Sequence, residues 1–544
     1  MSKIAHYLQE HLLGEVMTSA DARRFFATDG SIFTVPPAVV VYPKNENDIR
    51  KTTRFTWQLA ERGRVIPVTA RGSGTNQSGA ALGSGILLVF PAHLHRILDY
   101  DSKSGDVTVE PGINYGKLQQ ALKTHGRFLP PYPSSLEYST VGGAVANNVS
   151  GEKSVKYGDT NAYVKSLRVV LANGEVIQTT RLNKRELSKK LGLATFEGEI
   201  YRAVDTLLEE HKELVEGSHL RVSKNTAGYN VAAVKGHDGS FDLTPLLVGG
   251  QGTLGIISEI TLTTQPYNPN TSLILATFEN LQDIQNAVLE LLQLPDTPSA
   301  IEMVDGNLLK YVDSANPNLL KDLVEKPFPA AALLVEFDDP ERHQKKVLKK
   351  AHKVLEKYAL SQVAETEPER QEQLWKIRNA ASAVVAHSEG LLRPVPVIED
   401  GVVPLERFQD YLQGVQDILT RNHLPVAIWG HAGDGILRAR PLLNLGQVGD
   451  RQKVFRLMED YYKLVIDLGG STSGSHGDGR LRAPYLERLY GSETYGLFQK
   501  LKQIFDPYGT LNPGVKMNVA LEDIRPLLRQ DFSLGHLYNH LPQS

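Results

Sequence analysis

The chain has 544 residues, 59 basic against 62 acidic side chains for a net charge of −3, 41% hydrophobic residues and no cysteine. That length exceeds one hydrophobic core and points to two or three domains of about 100–200 residues each. The missing cysteines exclude disulfides, a thiolate nucleophile, a cysteinyl flavin link and a cysteine-ligated iron–sulfur cluster on this chain, and the evenly mixed charge argues against nucleic acid as a partner.

Ile4, Leu8 and Leu12 recur at helical spacing. They predict a packing helix within an N-terminal segment over 1–35, not a signal peptide, because no basic start precedes an apolar core. From 36 to 266 strands and helices alternate with many glycine turns. Strands are predicted at Val39–Tyr42, Val65–Thr69, Ile86–Phe90 and Val107–Glu110, and helices at Glu46–Arg62 and Tyr115–Thr124. Leu167–Leu171 and Glu175–Gln178 flank Ala172-Asn173-Gly174, a hairpin signal.

After Pro266 longer amphipathic helices separate short strands. Leu273–Phe278, Ala331–Phe337 and Pro425–Trp429 read as strands, and Leu281–Leu292, Glu341–Tyr358, Glu369–His387 and Arg451–Asp467 as helices. This order predicts an α+β domain over 267–470 with helices on one face of a sheet. A final segment, 471–544, opens with a loop-rich stretch to about residue 518. Apolar runs such as Gly85–Phe90 fall far short of the ~20 residues that span a bilayer, so no transmembrane segment is expected. The location expected is cytoplasmic, at most peripheral to a membrane.

Two short segments nearly repeat each other: His431-Ala-Gly-Asp-Gly435 and His476-Gly-Asp-Gly479. Each sets an imidazole, whose proton equilibrium lies near neutral pH, beside glycines that admit a close ligand and a carboxylate. Together they read as two edges of one small-molecule site. Upstream, Val68-Thr-Ala-Arg-Gly-Ser-Gly-Thr-Asn-Gln-Ser-Gly79 lies between two strands. It lacks the Lys-Ser/Thr of a P-loop, and a strand follows where a dinucleotide fingerprint needs a helix. Its composition fits a plain glycine loop and an anion-binding nest alike.

Pro131-Tyr-Pro-Ser-Ser135, Ser139-Thr-Val-Gly-Gly-Ala-Val-Ala-Asn-Asn148, Gly151, Lys156-Tyr-Gly158 and Val248-Gly-Gly-Gln-Gly-Thr-Leu-Gly-Ile-Ile257 follow in order. With the glycine loop, this series resembles the FAD-binding domain of the vanillyl-alcohol oxidase / p-cresol methylhydroxylase (PCMH) family. Within it, the chain resembles the glycolate oxidase D subunit, D-lactate dehydrogenase and D-2-hydroxyglutarate dehydrogenase group over roughly residues 30–520. The resemblance implies an α+β protein with a two-subdomain PCMH-type FAD-binding domain (36–266). It also implies a cap, or substrate, domain with an antiparallel sheet (267–470) and a C-terminal segment returning to the flavin.

The resemblance also implies residue roles. Arg71, Gly72, Ser73, Gly74, Thr75, Asn76 and Ser78 would hold the FAD pyrophosphate. Ser134, Ser135, Thr140, Gly143, Asn147 and Gly151 would line the rest of the nucleotide, Gly252 and Ile257 the adenine end, and Asn512 would close over the isoalloxazine. The glycine loop has no histidine and the chain no cysteine, so FAD is expected to be non-covalent. Gly250-Gln251 stands where relatives commonly carry Ser-Glu, with little effect expected on flavin binding.

At the reacting end, oxidising a 2-hydroxy acid needs a base, a cation for the carboxylate, a C–H aimed at flavin N5 and a dry pocket. By resemblance His476 is the base; the alternative is a structural loop histidine. Relatives bind a divalent cation through positions matched here by His431, Arg438 and Ser475. One ligand of three survives, so no catalytic metal is expected, and His431 becomes a hydrogen-bond donor. Arg378, Arg393, Arg438 and Arg440, with Ser382, are expected at the substrate. Such a cluster suggests an anion with more than one charge. Alternatively, Arg438 and Arg440 pair with Asp434, Asp478 or Glu399.

The function expected is FAD-dependent oxidation of a 2-hydroxy acid, handing electrons to a separate acceptor: a quinone, a soluble carrier, an iron–sulfur partner or oxygen. The alternatives are a non-redox flavin enzyme resembling alkyl-dihydroxyacetone-phosphate synthase, or a weakly active flavin-binding subunit of a larger complex.

Overall fold

A computed structural model describes residues 2–315, 317–321, 323–386, 390–424 and 426–537. His387 and Pro425, each at the end of a predicted element, lie outside the described residues. The first sheet runs β1 (Glu15–Met17), β2 (Val39–Tyr42), β4 (Ile86–Val89), β3 (Val68–Arg71), with β2, β4 and β3 parallel. β3 begins three residues later than Val65–Thr69 would have it. Pro67 has no N–H for the ladder and sets the start. The helix Ser2–His11 buries Ile4 and Leu8 against Val39, Val41, Ile86 and Leu88 of this sheet.

A second, antiparallel sheet runs β5 (Ile97–Tyr100), β6 (Val107–Val109), β10 (Ile256–Leu262), β8 (Val164–Val170), β9 (Val176–Thr179). Helices Tyr115–Thr124 and Phe196–Glu210 share its core. β7 (Arg127–Phe128) and β11 (Gln265–Pro266) form a short ribbon beside it.

The third sheet is antiparallel throughout: β15 (Ser361–Glu365), β12 (Ser272–Phe278), β14 (Ala331–Phe337), β13 (Ala300–Asp305), β17 (Ile428–His431), β18 (Arg438–Ala439). β16 (Arg393–Pro394) and β19 (Leu442–Leu443) form a ribbon. Helices cover both faces of this sheet, not one. Ile274 and Ala276 pack with helices Leu281–Leu292, Phe408–Arg421 and Val448–Asp467. Leu273 and Leu275 pack with Gly306–Ala315 and Pro368–Ala386. Alternate side chains of an extended strand leave on opposite faces, and a strand apolar at every position can be buried on both.

The stretch read as loop-rich contains helical backbone over Leu486–Phe505, two helices that meet at the non-helical Gly491. Past it the chain returns to the first sheet: Leu511 pairs with Val68, and Arg480 N–H donates to Ser78 C=O. Among the described residues no helix is long and apolar enough to cross a membrane.

Candidate active site

The turn after β3 builds one wall of a cleft. Gly72, Ser73, Gly74, Thr75, Asn76, Thr140, Gly143, Asn147, Gly252 and Ile257 line it together. Gly74 has φ +78°, which a side chain would strain. The N–H groups of residues 72–77 donate to no acceptor among the described residues. A run of free N–H groups along one wall is what a pyrophosphate accepts. Gly252, at φ +71°, leaves a gap that a Cβ would begin to fill, its nearest neighbour being Ala70 Cβ at 4.0 Å. These residues fit FAD.

Other residues expected at the nucleotide stand elsewhere. Arg71 lends the cleft its backbone, but its guanidinium turns back to the carbonyls of Phe26, Thr28 and Ala81. Ser78 is buried behind the loop, donating to Asn76 Oδ1 and the His476 carbonyl. Ser134 is exposed, Ser135 bonds Ser139, and Gly151 packs on the Tyr132 carbonyl. Asn512 bonds Thr69, Ala80 and Gln251 from beneath the loop. None of Ser78, Ser134, Ser135, Gly151 and Asn512 lines the cleft. Ser78, Ser135 and Asn512 spend their side chains on bonds within and between neighbouring segments.

The two histidine segments arrive from different elements. His431 ends β17, opposite Glu302 of β13, and Arg438 lies on the next strand opposite Trp429. Glu302, His431 and Arg438 therefore share the sheet face that carries helix Pro368–Ala386. From that helix Arg378 Nε donates to Glu302 Oε2 at 2.7 Å, and His431 Nδ1 donates to Glu302 Oε1 at 2.6 Å. Burial alone would raise the Glu302 pKa, but His431 and Arg378 outweigh it and hold the carboxyl below its ordinary value. Arg378 is thus committed to a buried partner.

His476 follows Asp400 and Glu399 in space. Its backbone N–H donates to Asp400 Oδ2 at 2.8 Å, and its ring Nδ1 lies 3.1 Å from Glu399 Oε1. Glu399 is fully buried, yet Arg440, His476 and Arg482 hold its carboxyl well below the usual range. An ionised carboxylate only accepts, so Nδ1 carries the proton. On the far side Arg438 Nη2 stands 3.4 Å from Nε2 and 3.4 Å from Ser475 Oγ. Arginine only donates, so Nε2 presents its lone pair there. Both neighbours select one tautomer, and the ring remains 22% exposed on its side chain.

The expected arginine cluster divides. Arg440 Nη1 pairs with Glu399 Oε2 at 2.6 Å, set off the hydrogen-bond direction, and its Nη2 donates to Gln77 Oε1 at 2.7 Å. Asp434 pairs with Lys224, and Asp478 with Lys516. Arg438 has no carboxylate within 4.0 Å among the described residues, and its Nε is buried without a partner. Burial pushes its pKa down, partly countered by Asp400 and Glu399. Arg393 donates to the carbonyls of Gly390 and Leu392 and stands apart from the other arginines on β16, which pairs with β19 outside this sheet. Ser382 falls in helix Pro368–Ala386, and its side chain lies outside the described residues.

Sequence reading passed over Glu302 and Asp400 and expected little effect from Gln251. Glu302 had a signal: a lone carboxylate inside the apolar run Ala-Ile-Glu-Met-Val. So did Asp400, the second of two acids closing Pro-Val-Pro-Val-Ile. Asp400 sits at φ +65° and accepts from Ser473 and Ser475 as well as His476. Left-handed non-glycine residues gather at functional sites. Among the described residues no group of three or more His, Cys, Asp or Glu is placed to hold a metal ion.

A FAD binding domain model matches residues 37–180, and a model for the FAD linked oxidases, C-terminal domain, matches residues 268–515. The chain is 28% identical to a D-2-hydroxyglutarate dehydrogenase of Pseudomonas putida, over 92% of this chain and 50% of that protein. It thus spans about half the length of such relatives. It is 29% identical to glycolate oxidase subunit GlcD of Bacillus subtilis, over 88% of each chain. The fold matches 4-ethylphenol oxidase from Gulosibacter chungangensis with a TM-score of 0.67 at 16% identity, over 96% of this chain and 98% of that one.

Proposed function

The chain belongs to the FAD-linked oxidases, and on that premise we propose that it oxidises a 2-hydroxy acid to the 2-oxo acid, with His476 as base and Arg438 as carboxylate anchor. The glycine loop and the 140–147 and 249–257 segments would hold FAD non-covalently, and bound FAD would supply a hydride acceptor. His476 Nε2 takes the hydroxyl proton, and Glu399 steadies the imidazolium that forms. Arg438 meets the substrate carboxylate with two parallel donors beside that nitrogen. The observation that carries this reading is the line Glu399–His476–Arg438, with gaps of 3.1 and 3.4 Å.

Arg438 is also the cation of the site. Its guanidinium lies between the Ser475 and His476 side chains, and these donors do not suit a divalent ion. We read the reaction as metal-free. Arg378 and Arg440 already hold Glu302 and Glu399, so one uncommitted arginine favours a substrate with one carboxylate. The electrons pass on to a separate acceptor.

The test is anaerobic mixing of FAD-loaded protein with a panel of 2-hydroxy acids while the flavin's visible absorbance is followed. Bleaching by at least one acid supports the reading. No bleaching across glycolate, both lactates and both 2-hydroxyglutarates sinks it.

A further inference from the structure

The carbonyl oxygen of His476 accepts from three side chains: Gln251 Nε2 at 3.2 Å, Ser78 Oγ at 3.3 Å and Asn76 Nδ2 at 3.4 Å. All three stand on loops that build the nucleotide cleft. Gln251 does the most. It lines the cleft, is only 4% exposed, and uses every group of its amide. Nε2 donates to Asn147 Oδ1 at 2.8 Å as well as to His476, and Oε1 accepts from Gly479 N–H at 2.9 Å. Its own carbonyl accepts from Asn512 Nδ2 at 2.8 Å.

The orientation of this amide is set from both sides. Asn147 Nδ2 donates to Gly143 C=O at 3.0 Å, which turns Asn147 Oδ1 toward Gln251 and toward Asn76. Gly477 presses so close that a Cβ there would lie 2.2 Å from Gln251 Nε2. Gln251 itself is held at φ +51°, a conformation that costs a non-glycine residue free energy and persists only when its surroundings fix it. The chain of contacts runs from the cleft wall (Asn147, Asn76) through one amide to the His476 carbonyl and the Gly479 N–H that follows it.

We propose that Gln251 is a positioning residue that couples occupation of the nucleotide cleft to the seat of the His476 loop. A ligand that orders residues 72–76 and 143–147 fixes the Asn76 and Asn147 amides. Through Gln251 it then fixes the carbonyl of His476 and the N–H of Gly479. With the cleft empty, the freedom of those loops passes to His476. Coupling of this kind is reciprocal between its two ends. The proposal rests on FAD as the cleft's ligand, and only its kinetic arm rests on the proposed reaction.

Hydrogen exchange read by mass spectrometry on apoprotein and FAD-loaded protein tests it, with Gln251→Gly as the variant, because glycine accepts φ +51° without strain. In the unaltered protein FAD slows exchange in both 72–78 and 474–481. In Gln251→Gly, FAD still protects 72–78, while the protection of 474–481 falls by about 5-fold or more. If Gln251→Gly does not fold, Gln251→Met, which keeps the volume and loses the amide, gives the same split. The kinetic arm expects slower flavin reduction at saturating hydroxy acid with an unchanged KM. Equal protection of 474–481 with and without the Gln251 amide overturns the proposal. So does loss of FAD binding in both variants, which would make Gln251 a cofactor contact. If no hydroxy acid reduces the flavin of the unaltered protein, the proposed reaction fails while the exchange result still decides the coupling.

Discussion

Glu399 Oε1 and His476 Nδ1 face each other at 3.1 Å, the carboxylate fully buried and the imidazole partly exposed. The arrangement turns the Nδ1 proton toward Glu399 and sets Nε2 next to a guanidinium. In the proposed reaction these three would serve as base, orienting carboxylate and cation for the substrate.

Replacing His476 by Asn should leave FAD bound and cut the rate of flavin reduction by about 10²–10⁴-fold, the usual worth of a positioned base. Single-turnover reduction measured beside FAD titration checks this. An unimpaired His476→Asn protein removes the residue from its role.

Glu399→Gln should act twice. It removes the acceptor that sets the ring's tautomer, lowering the reduction rate by about 10²-fold or more. It also leaves Arg440 and Arg482 buried without their carboxylate, which costs about 3–5 kcal/mol of stability. Thermal melts beside stopped-flow traces separate the two effects.

Acid should unfold the protein through the same carboxylates. Glu302, Glu399 and Asp400 all have pKa values below their ordinary ones when folded: burial opposes this, and the neighbouring histidines and arginines overcome it. A carboxyl depressed by folding contributes stability in full above its unfolded value, and that contribution is lost as pH falls through the folded one. The melting temperature should therefore hold above the ordinary glutamate value of 4.5 and fall below it. Glu302→Gln should flatten that fall. A melting temperature that drops equally in both proteins contradicts the assignment.

Arg438→Lys keeps the charge but loses the paired donors, and Arg438→Ala loses both, so KM should rise in that order, by about 10²-fold for alanine. Arg378→Ala should instead lower stability by about 3–5 kcal/mol, because it strands Glu302 in the core. A dicarboxylate should bind no more tightly than a monocarboxylate of similar size. Tighter binding of the dicarboxylate would return Arg378 or Arg440 to the substrate.

How much of this could be read in advance differs from element to element. The helix Tyr115–Thr124 was legible because Asn114 caps it and Leu118 and Leu122 repeat at helical spacing. The hairpin at Asn173-Gly174 announced itself by turn chemistry. The two helices of Leu486–Phe505 were hidden by Gly491, where the backbone leaves helical geometry and the chain continues. The glycine loop and His476 were visible as motifs. What they touch was not, because Glu302 meets His431, and Glu399 meets His476, only through strand pairing and loop packing over 129 and 77 residues. The fate of the arginines depended on those same partners. Local sequence showed the cations and could not show which carboxylates the sheet would bring to them.

The most direct measurement is anaerobic flavin reduction by the best 2-hydroxy acid in protein stripped of divalent metal by a strong chelator. The account predicts complete bleaching at the rate of the untreated protein, with no change on adding zinc or manganese. A stripped protein that stays oxidised until a metal is returned would contradict it.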